Sequence, residues 1–158
     1  MGRKLDIDLT DEEIDAFLRE RRTVRVATVG PDGTPHVVPL WYVWHEGSMF
    51  FNSTLGNPTV ENLLREGQAA AVVDDGEEYE VLRGVVVTGT VTLAEDDPLL
   101  PEVERAQSKK YLGGNESPYK KWKRRRWFRL TPERIASWDF RKIPDALARR
   151  AAKRAREA

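Results

Sequence analysis

The polar stretch 52–62 holds the side chains best suited to ligand chemistry. Residues 52–54 are Asn, Ser and Thr, and Asn57 with Pro58 has the residue types of a helix N-cap and first turn. Hydroxyls, carboxamides and the unpaired N–H groups of a helix terminus would meet there, and together they can bind an anion. An ordinary strand-to-helix cap explains the same spacing, and it is the simpler interpretation of the spacing alone.

Other reactive side chains form no recognisable catalytic group. The sequence has no Cys, which excludes disulfides, thiolate metal ligands and a thiol nucleophile. His36 and His45 are isolated, so no metal site is predicted, and Ser53 has no His or Asp partner nearby in the sequence. Glu77 and Glu78 are more typical of a solvated surface than of a general acid–base pair. The catalytic residues therefore stay unknown at this stage.

Cations and aromatic residues alternate between Lys120 and Trp127. This composition is typical of a nucleic-acid surface, where cations meet phosphates and rings stack on bases. Two other interpretations stay open: a solvated basic segment, and a binding surface for an anionic cofactor or substrate. We favour the solvated segment and predict no nucleic-acid partner at physiological ionic strength.

Strands must position the polar stretch. Runs rich in β-branched and aromatic residues cover 23–29, 36–44 and 48–53, and turns separate them at Pro31-Asp32-Gly33 and at Glu46-Gly47. This pattern predicts an antiparallel meander of three strands. After the third strand, Val60, Leu63 and Leu64 give the following helix an apolar stripe that ends at Gly67.

The rest of the chain alternates helices and strands. Thr10 and Glu13 predict a capping box at the start of a helix over 10–21. Gly84 and Gly89 mark a bulge or a sharp bend in a long strand. The remaining predicted elements are strands over 68–74, 81–93, 127–130 and 135–138, and helices over 99–112 and 144–158. The fold class is therefore mainly β (α+β), with antiparallel strands and flanking helices.

Composition limits the partners and the compartment. The 158 residues suit one domain, and a formal net charge of +0 provides no global field that would attract nucleic acid or an anionic membrane. We find no secretion signal and no apolar stretch long enough to span a bilayer. These features predict no membrane partner and a cytoplasmic protein.

Five stretches carry a resemblance to one family by their order and spacing: Ala27–Val29 with Asp32–Pro35, Val38–Trp41, Phe51–Thr54 with Asn62-Leu63, Arg83–Val85 leading to Thr88–Thr90, and Leu130–Asp139. Together they resemble the pyridoxamine 5'-phosphate oxidase-like FMN-binding split-barrel family, and within it the flavin/deazaflavin oxidoreductase branch. The resemblance covers about residues 8–143.

The resemblance implies a homodimeric split β-barrel enzyme that binds FMN, or alternatively the deazaflavin coenzyme F-420, at the dimer interface. It would transfer hydride to a small conjugated substrate, with residues 1–143 as the cofactor-binding domain and 144–158 as a basic C-terminal helix or tail. By carry-over, residues 38–41 line the ring, 52–62 surround the phosphate, and 127 and 129 come from the partner subunit. The implied cofactor-binding residues are Val38, Pro39, Leu40, Trp41, Asn52, Ser53, Thr54, Thr59, Asn62, Arg83, Trp127 and Arg129.

One position departs from the family pattern. Thr59 stands where the family usually has Lys or Arg beside the cofactor phosphate. A hydroxyl that points to solvent there would supply one hydrogen bond but no charge, so weaker phosphate binding is expected. The alternative to an enzyme is therefore a non-catalytic split barrel that binds a cofactor, haem or another planar ligand.

The number of large aromatic residues also predicts a dimer. A small barrel interior has little room for Trp41, Tyr42, Trp44, Trp127 and Trp138 together, and such residues are enriched at interfaces.

Overall fold

The computed structural model describes residues 5–118 and 124–157. Short 3₁₀ turns occur at Tyr79–Val81 and Phe140–Lys142. In chain order the main elements are α1 (Asp11–Glu20), β1 (Val24–Val29), β2 (Pro35–Leu40), β3 (Tyr42–His45), β4 (Ser48–Thr54), α2 (Pro58–Glu66), β5 (Gln68–Asp75), β6 (Arg83–Leu93), α3 (Leu100–Leu112), β7 (Arg125–Asp139) and α4 (Ile143–Glu157).

The strands form one antiparallel seven-stranded sheet in the order β2-β1-β5-β6-β7-β4-β3. β2 and β3 are the two edges of this sheet, yet only Trp41 separates them in the chain. Both edges must therefore come together at Trp41, and the sheet curls into a half-barrel. The mainly β fold class with flanking helices is confirmed.

The predicted three-strand meander is wrong at its second strand. Residues 36–44 are two strands, because β2 pairs with β1 and β3 pairs with β4 on the opposite edge. Pro39 lacks the N–H that a second ladder would need, which suits it to the free edge. The two turns are confirmed: Gly33 has φ +83°, and Glu46 and Gly47 both have positive φ, as a tight hairpin requires.

The two predicted C-terminal strands are a single strand, β7, so the predicted break at 131–132 is wrong. β7 pairs with β6 without a break from Phe128 to Asp139, and the register shifts between Thr88 and Gly89. The predicted bulge at Gly89 is confirmed, because a Cβ there would lie 2.0 Å from the Thr131 carbonyl oxygen. Gly84 is not a bulge: it keeps its register opposite Trp138, whose indole covers the space of the missing side chain.

The core fills the inside of the curled sheet. Tyr42, Phe51 and Phe128 are fully buried there, and the Tyr42 hydroxyl donates to the Leu18 carbonyl oxygen of α1 at 2.7 Å. A second, smaller cluster lies on the outer face of the sheet, where Val103 of α3 packs on residues of β3 and β4. Both faces of β3 are thus covered, which explains why three consecutive residues of that strand are buried.

The helix signals in the sequence are confirmed. Thr10 and Glu13 form the reciprocal capping box of α1, and Asn57 caps α2, which ends at Gly67 in the left-handed region. α4 begins at Ile143, one residue before the predicted C-terminal segment 144–158. That division of the chain stays a prediction, and the part 120–123 of the basic segment lies outside the described residues.

Candidate ligand-binding cleft

A cleft of about 950 Å³ lies between α3 and the outer face of the sheet. Its lining combines the end of β2, the middle of β4, the start of β7, and α3 with the loop after it. The lining residues are Pro39, Leu40, Trp41, Asn52, Pro101, Glu104, Arg105, Gln107, Ser108, Leu112, Gly114, Glu116, Ser117, Arg125, Arg126 and Trp127.

Trp41 supplies an aromatic surface to this cleft. Its indole stacks on the Tyr111 ring of α3, with ring centroids 4.5 Å apart and planes 14° apart, and 43% of the residue stays exposed. The Tyr111 hydroxyl lies 2.7 Å from the Tyr42 carbonyl oxygen and 2.8 Å from the Arg22 carbonyl oxygen. Burial raises the pKa of Tyr111 to about 12, so the hydroxyl remains a hydrogen-bond donor at neutral pH. Tyr111 therefore fixes the position of Trp41 and leaves part of its surface free for a ligand.

Asn52 lies beside cations of β7. It pairs with Trp127 across the β4–β7 ladder, and the Arg125 guanidinium donates to its Oδ1 at 2.5 Å. Because the Asn52 oxygen is bound in this way, its amide NH₂ is the part that can donate to a ligand. The neighbouring strand β2 is a sheet edge, so Pro39 and Leu40 lie in a strand with one row of backbone groups outside the ladder.

The polar residues predicted around a phosphate are mostly buried and already bonded. Thr59 is only 1% exposed, and its hydroxyl lies 3.1 Å from His36 Nε2. Ser53 accepts from the Asn57 amide at 2.8 Å. Asn62 donates to the Thr28 hydroxyl at 3.0 Å and accepts from Arg65 at 3.0 Å. The expectation of a solvent-facing Thr59 hydroxyl is therefore wrong, since the turn of α2 that holds it packs against β2.

Seven of the twelve predicted residues do not line the cleft in the single chain: Ser53, Thr59 and Asn62, described above, and Val38, Thr54, Arg83 and Arg129. Val38 and Thr54 are half-buried in their strands, where Val38 pairs with Val26. Arg83 lies at the far end of β6, about 33 Å of strand from the residue that pairs with Phe128. It binds Asp75 at 2.9 Å, which with Arg21 lowers the pKa of that carboxyl.

Arg129 also has partners of its own. It donates to the Ser48 hydroxyl at 3.2 Å and to Asp97 at 3.1 Å, and its guanidinium lies over the Phe50 ring. A contribution of Trp127 or Arg129 to a site in a second subunit stays a prediction. Trp127 lines the cleft of its own chain.

The contribution of α3 to the cleft was not predicted from the sequence. Pro101, Arg105, Ser108 and Leu112 all line the cleft and are spaced as one stripe of a helix. This stripe lies beside the apolar side that carries Val103, so helical spacing could have revealed a second contact face. Among residues 5–118 and 124–157, no three His, Cys, Asp or Glu side chains are grouped so that they could hold a metal ion.

The curled sheet and its outer cleft define a split-barrel protein. Residues 10–139 match the family profile described as pyridoxamine 5'-phosphate oxidase, and the chain belongs to that family. No protein with a curated description matches the sequence closely enough to count as a relative. No helix in the described part of the chain has the length and apolar character needed to cross a membrane.

Solved structures share this fold. The conserved hypothetical protein Rv2991 from Mycobacterium tuberculosis has a TM-score of 0.79 and 29% identity, over 91% of this chain and 93% of that one. HutZ, the haem storage protein from Vibrio cholerae, has a TM-score of 0.64 and 21% identity, over 79% and 92%. An F-420 reductase has a TM-score of 0.61 and 24% identity, over 77% and 94%. The last two likenesses show the fold alone.

Proposed function

We propose that this protein is an FMN- or coenzyme F-420-dependent oxidoreductase that transfers hydride to a small conjugated substrate. The observation that carries the proposal is the cleft itself. It gathers Pro39, Leu40, Trp41, Asn52 and Trp127, five residues at which the sequence resemblance places cofactor contacts. The family and the F-420 reductase with the same fold support a flavin-type cofactor.

The aromatic and hydrogen-bonding groups of the cleft suit a flat ring with polar edges. Trp41 offers part of an indole, Trp127 lies on the adjoining wall, and the edge strand β2 offers backbone groups. The Asn52 amide adds a donor. A cleft of about 950 Å³ is within the usual size range of small-molecule sites.

The chain's own residues would bind and orient rather than react. A bound flavin or deazaflavin supplies the hydride-transfer chemistry. Trp41, held by Tyr111, would fix the plane of the ring, and Asn52, held by Arg125, would fix its rotation within that plane. This division of labour agrees with the lack of a catalytic group in the sequence pattern.

The same proposal includes a homodimer in the cytoplasm. The outer face of β1 and β2 exposes apolar residues in the single chain, with Val37 63% and Val29 48% exposed and Ala27 opposite Val37. Arg25 lies on the same face and is paired with Asp74. A second copy would cover this face. The number of large aromatic residues gives weaker support for a dimer, because Tyr42 and Trp44 are buried within one chain. The cytoplasmic location rests on the absence of Cys, which suits a reducing compartment.

We expect Val37→Arg to convert the dimer into a monomer. An arginine on this face would be desolvated without a partner, which costs several kcal/mol, and each 1.4 kcal/mol raises the dissociation constant about tenfold. Light scattering at micromolar concentration measures the change in mass. Leu147→Arg, at an apolar α4 residue that is 50% exposed, is the matched control and should leave the mass unchanged. A wild-type protein that is monomeric would contradict the dimer.

We expect Trp41→Ala to weaken the binding of both FMN and riboflavin about tenfold, because the same ring packs on the indole in both ligands. Quenching of flavin fluorescence during titration of the apo-protein measures this effect. Tyr79→Ala removes an aromatic residue that is 66% exposed outside the cleft, and it should change neither affinity.

Parallel titrations with coenzyme F-420 and haem separate the candidate functions. Among the described residues that line the cleft there is no His, Met or Tyr to ligate a haem iron. His36 and His45 lie elsewhere, bound to Thr59 and Glu102 respectively. Saturable binding of haem without binding of FMN or F-420 would overturn the oxidoreductase proposal in favour of a haem-binding protein.

A further inference from the structure

We propose that the acidic group of the ligand, a phosphate or a carboxylate, is bound by Arg105 and Arg125 on the α3–β7 side of the cleft rather than at the start of α2. This inference rests on the proposed function, and it assigns the charge that Thr59 does not supply.

The start of α2 has few groups left for an anion. Pro58 has no N–H, the Val60 N–H donates to the Asn57 side chain at 2.9 Å, and the Glu61 N–H donates to the Asn57 carbonyl oxygen at 3.2 Å. The Thr59 hydroxyl is buried against His36. Of the N–H groups in the first turn of α2, only that of residue 59 remains to donate to an anion. A phosphate at a helix terminus usually accepts hydrogen bonds from several such groups.

β7 places cations next to the same part of β4 from the other side. Arg125 pairs with Thr54 and Arg126 pairs with Ser53, so the arginines adjoin the residues that the sequence assigned to the phosphate. Arg125, Trp127 and Asn52 all line the cleft. A ligand ring beside Trp127 would therefore have Arg125 two residues away along the same strand.

α3 brings a further cation to the facing wall. Arg105 is exposed on the stripe of α3 that lines the cleft. Arginine presents a planar fork of N–H donors that matches phosphate and carboxylate oxygens, and these charge-assisted bonds are stronger than neutral ones. Two guanidinium groups in one cleft repel each other, and an anion between them would relieve that repulsion.

The other charged side chains of the cleft leave this assignment in place. Among the described residues, three arginines and two glutamates line the cleft. Arg126 follows Arg125 in β7 and lies 3.6 Å from Glu95, which is outside the lining. Arg105 and Arg125 lie on the two facing walls, α3 and β7, and the acidic group is therefore expected between them.

The test compares FMN with riboflavin, which has the same ring without the phosphate. We expect the wild-type protein to bind FMN more tightly. Arg105→Gln should weaken FMN binding about tenfold and leave riboflavin binding unchanged. Arg125→Gln should weaken FMN binding at least tenfold and riboflavin binding less, because it also removes the hydrogen bond that holds Asn52. Arg154→Gln, which removes one exposed positive charge from α4, is the matched control and should change neither. Arg125→Lys keeps the charge and should retain part of the FMN preference.

A second pair of ligands distinguishes phosphate from carboxylate. Coenzyme F-420 and its form without the glutamate tail differ by glutamate residues whose only charged groups are carboxylates, so a tail preference that the two glutamine variants remove also supports the inference. The inference is overturned if the double variant Arg105→Gln/Arg125→Gln still binds FMN more tightly than riboflavin, and tailed F-420 more tightly than the tailless form, while Thr59→Val removes both preferences. The anion would then lie at α2. The inference is also overturned if the wild-type protein binds riboflavin but neither the phosphate of FMN nor the glutamate tail of F-420 increases the affinity.

Inorganic pyrophosphate separates the inference from the proposed function. If no flavin binds, the proposed function fails. A rise in thermal stability with millimolar pyrophosphate that the double glutamine variant lacks would still support the anion site. If no flavin binds and pyrophosphate does not raise the thermal stability, both the proposed function and the anion site are overturned.

Discussion

Gly89→Ala is expected to lower the free energy of unfolding by about 3 kcal/mol and to leave little folded protein at 37 °C. The added methyl group would lie 2.0 Å from the Thr131 carbonyl oxygen and 2.9 Å from the Glu133 nitrogen. Both are backbone atoms, so no side chain can rotate to make room. β6 and β7 would have to separate at the point where β7 bends. Chemical denaturation followed by circular dichroism measures the loss.

Thr88→Ala is the control for this experiment. Thr88 precedes Gly89 in the same strand and is exposed. Its truncation should change the free energy of unfolding by about 0.5 kcal/mol at most, as is usual for surface positions. If Gly89→Ala were as stable as Thr88→Ala, the close approach of the two strands at the bulge would be wrong.

Short-range signals in the sequence predicted their structures well. The capping box of Thr10 and Glu13, the cap at Asn57 and the bulge at Gly89 each depend on residues within a few positions or on one missing side chain. Local chemistry of this kind acts through adjacent backbone groups, so a single sequence is enough to find it.

Long-range placement could not be predicted in the same way. Nothing in the run 36–44 reveals that the chain moves from one sheet edge to the other at Trp41, because both halves have strand composition. Arg83 was assigned to the cofactor from its place in a motif, yet the strand carries it to the other end of the sheet, beside Asp75. Such placement cannot be predicted from a motif, because position along a strand depends on pairing partners far away in the chain.

The candidate site shows the same contrast. The resemblance predicts cofactor contacts at Trp41, Asn52 and Trp127, and the cleft brings these three residues together; their contact with a cofactor stays a prediction. The lining by Arg105 and the stacking of Tyr111 on Trp41 were not predicted, because α3 approaches the sheet only in the folded chain. Thr59 was expected to face solvent, but burial depends on the packing of α2 against β2, which the residue type does not reveal.

We expect the burial of the Lys110 ammonium group to lower the free energy of unfolding. Its ammonium group lies 4.2 Å from the centre of the Tyr42 ring and 5.4 Å from that of Tyr111, and it is 3.4 Å from the Tyr42 carbonyl oxygen. Burial, and then the positive charge of Arg22, lowers the pKa of Lys110 from 10.5 to about 8. In the folded protein the charged form is therefore disfavoured relative to the unfolded chain.

We expect Lys110→Met to raise the free energy of unfolding by about 2 kcal/mol at pH 7. A pKa lowered by this amount corresponds to roughly 3 kcal/mol at 1.36 kcal/mol per unit, and partial exposure reduces that figure. Removing the ammonium group also removes its cation–π attraction to the two tyrosine rings, which offsets about 1 kcal/mol of the gain. Met keeps the unbranched apolar stem that packs beside these rings.

The difference between the two proteins should disappear as pH rises. Between about pH 8 and 10.5 the unfolded chain keeps the Lys110 proton while the folded chain has lost it, so the unfolded state binds more protons and wild-type stability increases with pH. Above pH 10 the raised pKa values of Tyr42 and Tyr111 act in the opposite direction in both proteins and cancel in the comparison.

Urea unfolding at pH 7, 8, 9 and 10 measures the trend. Lys109→Met, at an exposed position on the same helix, should show no gain at any of these pH values. A Lys110→Met protein less stable than wild type at pH 7 would mean that the attraction to the rings outweighs the cost of burying the charge.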